Sequence, residues 1–240
     1  IPLTFSKKTM GVFLLSVAVL AVHCLAFFGA IINAYFSVSL AIMSTGSFFT
    51  ALLEPIFYKR KIIWYEVVFG LIVVLGLYVI FQVEGDYSWG IVLALISSFL
   101  GALFSVINGK LAVRYNASAI SFYELFFGVC CISVYLFFSG SFDASFFTLT
   151  LSDWGYLFIL ASGCTAYAFI ASVHVMKWIS PYTVMLTINL EPVYGIVLAL
   201  IILGESENMG PQFYYGAAII ILTVVANGII KNRIKKKSKN

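Results

Sequence analysis

Long apolar stretches separated by short polar connections dominate this sequence. They occupy residues 10–31, 36–56, 62–82, 88–109, 118–139, 154–176, 182–204 and 211–230. A helix that crosses a bilayer needs about 20 apolar residues, whereas the strands of a membrane barrel alternate apolar and polar side chains over about ten. The pattern therefore predicts an all-α protein, a polytopic membrane helix bundle with eight spans.

The composition excludes two other classes of protein. Of the 240 residues, 62% are hydrophobic and 10% are charged, and the mean hydropathy is +1.05. A soluble domain carries about 25% charged residues, and a disordered chain combines low hydrophobicity with high net charge. The cysteines fall inside apolar stretches and lack the spacing of a metal or redox motif. We interpret them as packing residues and expect neither a metal site nor a cofactor.

The basic residues test this topology, because cytoplasmic loops carry the excess of lysine and arginine. With eight spans, all 14 basic residues fall on one side: Lys7, Lys8, Lys59, Arg60, Lys61, Lys110, Arg114, Lys177 and those between Lys231 and Lys239. The opposite connections carry acidic residues: Glu84, Asp86, Asp143, Asp153, Glu205 and Glu207. This asymmetry predicts a cytoplasmic C-terminus with a basic tail at 232–240. It also accounts for the net charge of +4 without nucleic acid as a partner.

Two segments of the chain share one pattern of features. Residues 35–76 and 178–223 each begin with small and polar residues and continue through a span, a polar turn, an aromatic pair and a glycine to a second span. Aligning 56–59 with 201–204 brings Gly70 within one position of Gly216. Because the two segments start on opposite sides of the membrane, they predict an inverted repeat, the arrangement that many secondary transporters use for alternating access.

The sequences ISPYTVMLTINLEPVYGIVLALIILGE, FYYGAAIIIL and FFTALLEPIFYKRKIIWYEVVFGLIVVLG resemble the EamA-type transporters of the drug/metabolite transporter superfamily. The resemblance covers essentially the whole chain and is most specific at Pro192, Gly204, Glu205 and Gly216. It implies ten helices in two inverted five-helix repeats, both termini in the cytoplasm, and a location in the cell membrane, the inner membrane of a bacterium.

On this basis the chain is expected to divide into three parts. Residues 1–82 would be a partial first EamA repeat with three spans, 83–231 the second repeat with five spans, and 232–240 the basic tail. Two further spans would then precede residue 1. The first repeat departs from the family pattern, because Lys59–Lys61 stands where Gly-Glu is expected and Ser47 where a proline would align.

Ionisable side chains inside a span are functional candidates, because each costs roughly 2.5–3.5 kcal/mol on insertion scales. Glu191 lies about 14 Å into its span, between Asn189 and the helix-breaking Pro192. Proline removes a backbone hydrogen bond, and broken helices are where transporters bind polar ligands and coupling ions. We expect Glu191 and Asn189 to bind substrate or a coupling ion, with a protonated, hydrogen-bonded packing glutamate as the alternative.

Glu124 is the second such carboxylate, about 9 Å into its span. Tyr123 and Asn108 are expected to line a cavity that binds the substrate. Because desolvation favours the uncharged acid, we expect Glu124 or Glu191 to exchange a proton as substrate moves. By contrast, Glu54 and Glu66 lie near the cytoplasmic ends of their spans, close to Lys59–Lys61. They are expected to have a structural role there, extending towards water or pairing with a basic residue.

Other polar or small residues inside the spans have simpler interpretations. His23 and His174 are expected to be hydrogen-bonded packing residues rather than ligands. Gly101, Gly128 and Gly163 are expected to permit close contact between helices.

The sequence bounds the function without naming a substrate. No lysine or arginine lies deep within a span, so a multiply anionic substrate would lack a buried cationic partner. We therefore expect a secondary active transporter of neutral, zwitterionic or cationic small molecules such as amino acids. We do not expect an enzyme, because catalytic motifs such as HExxH and GxSxG are missing from the sequence. A non-transporting receptor or assembly subunit is the alternative. The expected partners are a small-molecule substrate and the lipid bilayer, and the sequence leaves a homodimer open.

Overall fold

The computed structural model describes residues 6–34, 36–83, 87–140, 142, 144–188, 194, 198, 201–202 and 210–237. Every regular element in these ranges is helical. The α-helices are α1 (Lys7–Asn33), α2 (Phe36–Met43), α3 (Gly46–Tyr58), α4 (Trp64–Val83), α5 (Ser88–Ala112), α6 (Ala117–Phe138), α7 (Leu151–Ile159), α8 (Ala168–Val175), α9 (Pro181–Ile188) and α10 (Pro211–Lys237). A 3₁₀ turn covers Ala144–Phe147 and a π-helical segment covers Leu160–Tyr167.

Among the described residues, five helical stretches are long and apolar enough to cross a membrane: Thr9–Asn33, Val38–Tyr58, Ser88–Ala112, Ala117–Phe138 and Leu151–Val175. Each coincides with one of the predicted spans. Helix α4 coincides with the prediction at 62–82, and α10 contains the shorter apolar stretch Tyr214–Ile230. A polytopic helical bundle is therefore confirmed, whereas the total of eight spans stays a prediction.

The stretch predicted as one helix at 36–56 is interrupted after Met43. The Ser44 hydroxyl donates to the carbonyl of Ala41 at 2.6 Å, and the Thr45 hydroxyl donates to that of Ile42 at 2.8 Å. Serine and threonine side chains that bond to nearby backbone groups in this way compete with the helical hydrogen bonds. The interruption separates α2 from α3 within an otherwise apolar stretch.

The predicted span at 154–176 is also irregular. Helix α7 begins with a capping box in which Thr150 and Asp153 bond reciprocally, and Leu160–Tyr167 then winds as a π-helix before α8. Such wider turns are rare and occur mostly as short insertions within α-helices.

The chain forms two compact units. One comprises Ile1–Ala21 and Ile107–Ser180, and within it α6 packs against α8. The boundaries of these compact units differ in kind from the repeat boundaries predicted at 82 and 231, which were drawn from a repeat in the sequence. The repeat boundaries stay a prediction.

The other unit comprises Val22–Val106 and Pro181–Asn240. Its core is formed by buried apolar residues: Ala30, Val38, Ala41, Ile42, Val73, Ile91, Ala94, Ala217 and Ile220. Helices α4 and α10 approach closely, since a Cβ at Gly76 would lie 3.0 Å from the Gly216 carbonyl oxygen and 2.8 Å from Cγ1 of Ile220. Small residues at helix contacts allow such close backbone approach in membrane proteins. Helix α10 continues to Lys237, so part of the stretch predicted as a basic tail is helical.

Candidate functional site

Among the described residues of the first unit, Glu124 is the most deeply buried carboxylate. Helix α6 begins at Ala117 because the side chain of Asn116 caps it, accepting the backbone N–H of Ser118 at 2.9 Å. Two turns later, Glu124 lies on the buried face of the helix with Ser121 and Gly128, and its side chain is 0% exposed. The local sequence therefore directs an ionisable group into the interior of the unit.

Two neutral side chains from other helices hold this carboxylate. The Ser16 hydroxyl of α1 donates to Oε1 at 2.6 Å, and Nδ2 of Asn108, from α5, donates to Oε2 at 3.0 Å. Both partners are buried, with Ser16 0% and Asn108 1% exposed. Because each carboxylate oxygen receives a donor, three helices meet at one polar point inside the unit.

An aromatic group adjoins this cluster. The Phe13 ring stacks on that of Tyr123 with centroids 5.9 Å apart and also lies 6.3 Å from that of Tyr115. The Tyr115 hydroxyl is 2.9 Å from that of Thr9. The ring of Tyr123, predicted to line a cavity, therefore packs against aromatic neighbours, and contact with a substrate stays a prediction.

Two polar atoms beside Glu124 lack hydrogen-bond partners within the described part of the chain. These are Oδ1 of Asn108 and Oγ of Ser121, both on residues that are 1% exposed. Gly128 is buried as well, yet a Cβ at that position would meet no atom within 4 Å in the described ranges. The described helices therefore make no close contact at Gly128, contrary to the prediction.

The second unit contains another buried carboxylate with different partners. Glu54 of α3 is 3% exposed, and its Oε2 accepts the backbone N–H of Tyr182, in the first turn of α9, at 3.2 Å. The same oxygen lies 3.2 Å from Nη2 of Arg60, an ion pair without hydrogen-bond alignment. The pairing predicted for Glu54 with the basic run is thus confirmed. The Tyr182 hydroxyl in turn accepts a hydrogen bond from Nδ2 of Asn227 on α10.

The structure describes some of the remaining predicted candidates and leaves others out. Glu191, Asn189 and Pro192 lie outside the described residues. The packing role of His23 is confirmed, since its Nδ1 lies 2.8 Å from the backbone oxygen of Ser97.

The surroundings of the other predicted glycines and of His174 are also described. A Cβ at Gly101 would lie 3.1 Å from the ring of His23, so the close contact predicted there is confirmed. At Gly163 a Cβ would meet no atom of the described residues within 4 Å, so they make no close contact there, contrary to the prediction. The ring of His174 packs edge-on against Trp178 with centroids 4.9 Å apart.

Ser16 is the partner of Glu124 that sequence reasoning missed. It is the single polar side chain between Gly11 and Val22. A lone hydroxyl inside a long apolar stretch is a signal for an interhelical hydrogen bond. Its partner could not be read from the sequence, because Glu124 belongs to a distant helix.

Comparison with known proteins adds three findings. A family model described as "EamA-like transporter family" matches residues 88–228. No curated protein matches. Among solved structures, a chain described as "Crystal structure of protein" is 15% identical to this one with a TM-score of 0.67, over 94% of this chain and 78% of that chain. At this identity the likeness shows a shared fold alone.

Proposed function

Because this chain belongs to the EamA-like transporter family, we propose that it is a secondary active transporter of small metabolites across the cytoplasmic membrane. The proposed substrates are neutral, zwitterionic or cationic solutes such as amino acids. The proposed architecture is the ten-helix inverted-repeat fold, with the second repeat at 83–231 and the basic tail in the cytoplasm. Five apolar helices of membrane-spanning length support a multi-pass membrane protein.

The observation that carries this proposal is the burial of Glu124 among neutral hydrogen-bond donors. Its side chain is fully buried, and its two described partners, Ser16 and Asn108, are uncharged. Neither partner can therefore compensate the negative charge of an ionised carboxylate. Burying an uncompensated carboxylate is costly, so packing alone is a poor reason to keep one in an apolar helix. Intramembrane carboxylates mark substrate paths and proton relays.

We extend the proposal to proton coupling at Glu124. Low polarity favours the uncharged carboxylic acid in the absence of a positive partner. A positively charged or donor-rich solute would favour the carboxylate. Glu124 would then hold either a proton or the substrate, but not both at once. Such mutually exclusive binding is what a transporter needs to exchange substrate for protons across the membrane.

Flux into proteoliposomes tests this function. Vesicles containing the protein are offered a mixture of amino acids with and without an imposed pH gradient, and the Glu124→Gln variant is compared with the wild type. We expect saturable uptake that responds to the gradient in the wild type and loses that response in the variant. Asp153→Asn makes the same chemical change at a partly exposed carboxylate in the capping box of α7 and should behave as the wild type.

Two results would contradict the proposal. Uptake equal to that of protein-free vesicles for every solute would favour the non-transporting receptor or assembly subunit. Saturable uptake in Glu124→Gln with an unchanged response to the pH gradient would leave transport in place and remove Glu124 from the coupling.

A further inference from the structure

One end of the first unit carries exposed cationic side chains. Helix α5 ends and α6 begins there, because only the turn 113–116 joins them. Helix α1 begins at the same end, since the Thr9 hydroxyl lies 2.9 Å from that of Tyr115 in this turn. Helix α8 also ends there, because it packs against α6 and the stretch Leu151–Val175 runs back from the opposite end of the unit. The exposed basic residues at this end are Lys7, Lys110, Arg114 and Lys177.

The described carboxylates of the first unit do not lie at this end. Glu124 is buried two turns into α6, and Asp153 belongs to the capping box of α7, at the opposite end of the unit. The basic run of the second unit differs, because Arg60 there forms an ion pair with Glu54. The cationic end of the first unit is therefore suited to an anionic partner from outside the protein.

Two of the cations adjoin one pair of hydroxyl groups. Lys7 comes two residues before Thr9, and Arg114 directly precedes Tyr115, whose hydroxyl contacts that of Thr9. The guanidinium of arginine can bind a phosphate group through two parallel hydrogen bonds, and the ammonium of lysine binds it as a compact charge. Lys7 and Arg114 therefore supply the chemistry that recognises a phosphate group.

An exposed apolar stripe of α6 begins at the same end. Ser118, Phe122 and Phe126 are spaced by four residues and share one face of the helix, and their side chains are exposed. The two phenylalanine rings stack with centroids 6.0 Å apart. Because Ser118 lies in the first turn of α6, the stripe runs from the cationic end into a helix long enough to cross a membrane. A molecule that contacts both features needs an anionic head group and an apolar tail.

We propose that this surface binds an anionic phospholipid, with its phosphate at Lys7 and Arg114 and an acyl chain along Phe122 and Phe126. The inference does not rest on the transport function, because it needs only that the helices of this unit cross a bilayer. Basic clusters beside membrane helices attract anionic lipids, and each cation adds roughly fivefold to the preference. Phosphatidylcholine has the same chains, but its choline cation repels lysine and arginine. A soluble phosphate lacks the tail that the stripe would contact.

Photolabelling inside the bilayer tests the proposal locally. The whole protein is reconstituted in phosphatidylcholine vesicles with a trace of phosphatidylglycerol that carries a diazirine in its acyl chain, or with the matching phosphatidylcholine probe. Labelled peptides are identified by mass spectrometry after illumination. We expect the phosphatidylglycerol probe to label the segment 117–126 about 25-fold more than the phosphatidylcholine probe, the factor expected from two cations. Excess unlabelled phosphatidylglycerol should suppress this label, whereas glycerol 3-phosphate should not.

Charge removal identifies the head-group contacts. Lys7→Gln should lower the preference about fivefold, and Lys7→Gln combined with Arg114→Gln should bring it close to one. Lys61→Gln removes an exposed lysine of the second unit and should leave the label on 117–126 unchanged. Salt tests the wild type without any substitution. Raising it from about 0.1 M to about 1 M shortens the screening length from about 10 Å to about 3 Å, so the preference should fall severalfold.

The outcomes separate a lipid site from the alternatives. A preference for phosphatidylglycerol that falls with Lys7→Gln and with salt, but survives Lys61→Gln, supports the site. Equal labelling by the two probes, or a preference that salt does not change, overturns it. An equal loss in Lys61→Gln also overturns it, because the preference would then follow the net charge of the protein. Suppression by glycerol 3-phosphate would assign the cations to a soluble phosphate ligand and exclude the lipid.

Discussion

Replacement of Glu54 by alanine should destabilise the second unit through the first turn of α9. The Tyr182 N–H is one of the first four in that helix, which have no partner within it, and Glu54 satisfies it from α3 at 3.2 Å. Losing such a cap costs about 0.5–2 kcal/mol, and losing a negative charge at a helix N-terminus costs about 0.3–1 kcal/mol more.

The ion pair with Arg60 adds less, because the arginine side chain is 30% exposed and can turn towards water. Partly exposed pairs contribute about 0–1 kcal/mol. The three contributions together predict a loss of about 2–3 kcal/mol for Glu54→Ala. Glu54→Gln retains an oxygen acceptor for the Tyr182 N–H and loses only the charge, so about 1 kcal/mol is expected.

Thermal unfolding of the detergent-solubilised protein, followed by circular dichroism, measures the difference. For a chain of this size 1 kcal/mol corresponds to roughly 2–4 °C in Tm, so the alanine variant should melt about 4–12 °C lower and the glutamine variant about 2–4 °C lower. Equal losses in the two variants would refute the capping argument, because they would show that the charge alone accounts for the effect. No loss in either would remove Glu54 from the stability of the unit.

Two further predictions concern the backbone. Gly76→Ala should lower Tm by several degrees, because its Cβ would press on the Gly216 carbonyl. Gly11→Ala should be neutral or stabilising, because a Cβ at that position meets no described atom within 4 Å. Equal Tm values for the two variants would contradict the close contact between α4 and α10. Lys59 ends α3 in the left-handed region at φ 53°, so Lys59→Gly should raise stability by up to about 1 kcal/mol. Lys61→Gly removes the same charge without that relief, and an equal gain there would point to charge instead.

The described helix positions were largely predictable because the membrane imposes a simple rule. A span must satisfy its own backbone and present apolar side chains over about 20 residues, so hydropathy locates α1, α5 and α6 closely. The interruption between α2 and α3 was not predicted, and the reason is physical. Ser44 and Thr45 bond locally to carbonyls one turn back, and short hydroxyl side chains hardly change the mean hydropathy of a span.

The polar cluster was predictable only in part. Glu124 and Asn108 stand out in apolar surroundings, and the structure brings them together at 3.0 Å. Ser16 is equally isolated in α1, but its contact with Glu124 spans 108 positions of sequence, and no local pattern specifies which helices meet. Whether a glycine contacts another helix depends on the same tertiary arrangement: the close contact predicted at Gly101 is present, whereas a Cβ at Gly128 would meet no described atom within 4 Å.

The two buried carboxylates show how partners, rather than burial, separate a structural role from a functional one. Glu54 has an arginine and a helix N-terminus, which together compensate its charge. Within the described part of the chain Glu124 has neutral donors alone, and Oδ1 of its partner Asn108 has no hydrogen-bond partner. The same amide substitution should therefore have opposite consequences at the two sites. Glu54→Gln should lower Tm while the response of uptake to the pH gradient stays at the wild-type level. Glu124→Gln should remove that response with little loss of Tm, because an amide has the size and shape of the uncharged acid that low polarity favours. If both variants lost stability and the pH response in proportion, the two carboxylates would share one structural role and the distinction drawn from their partners would fail.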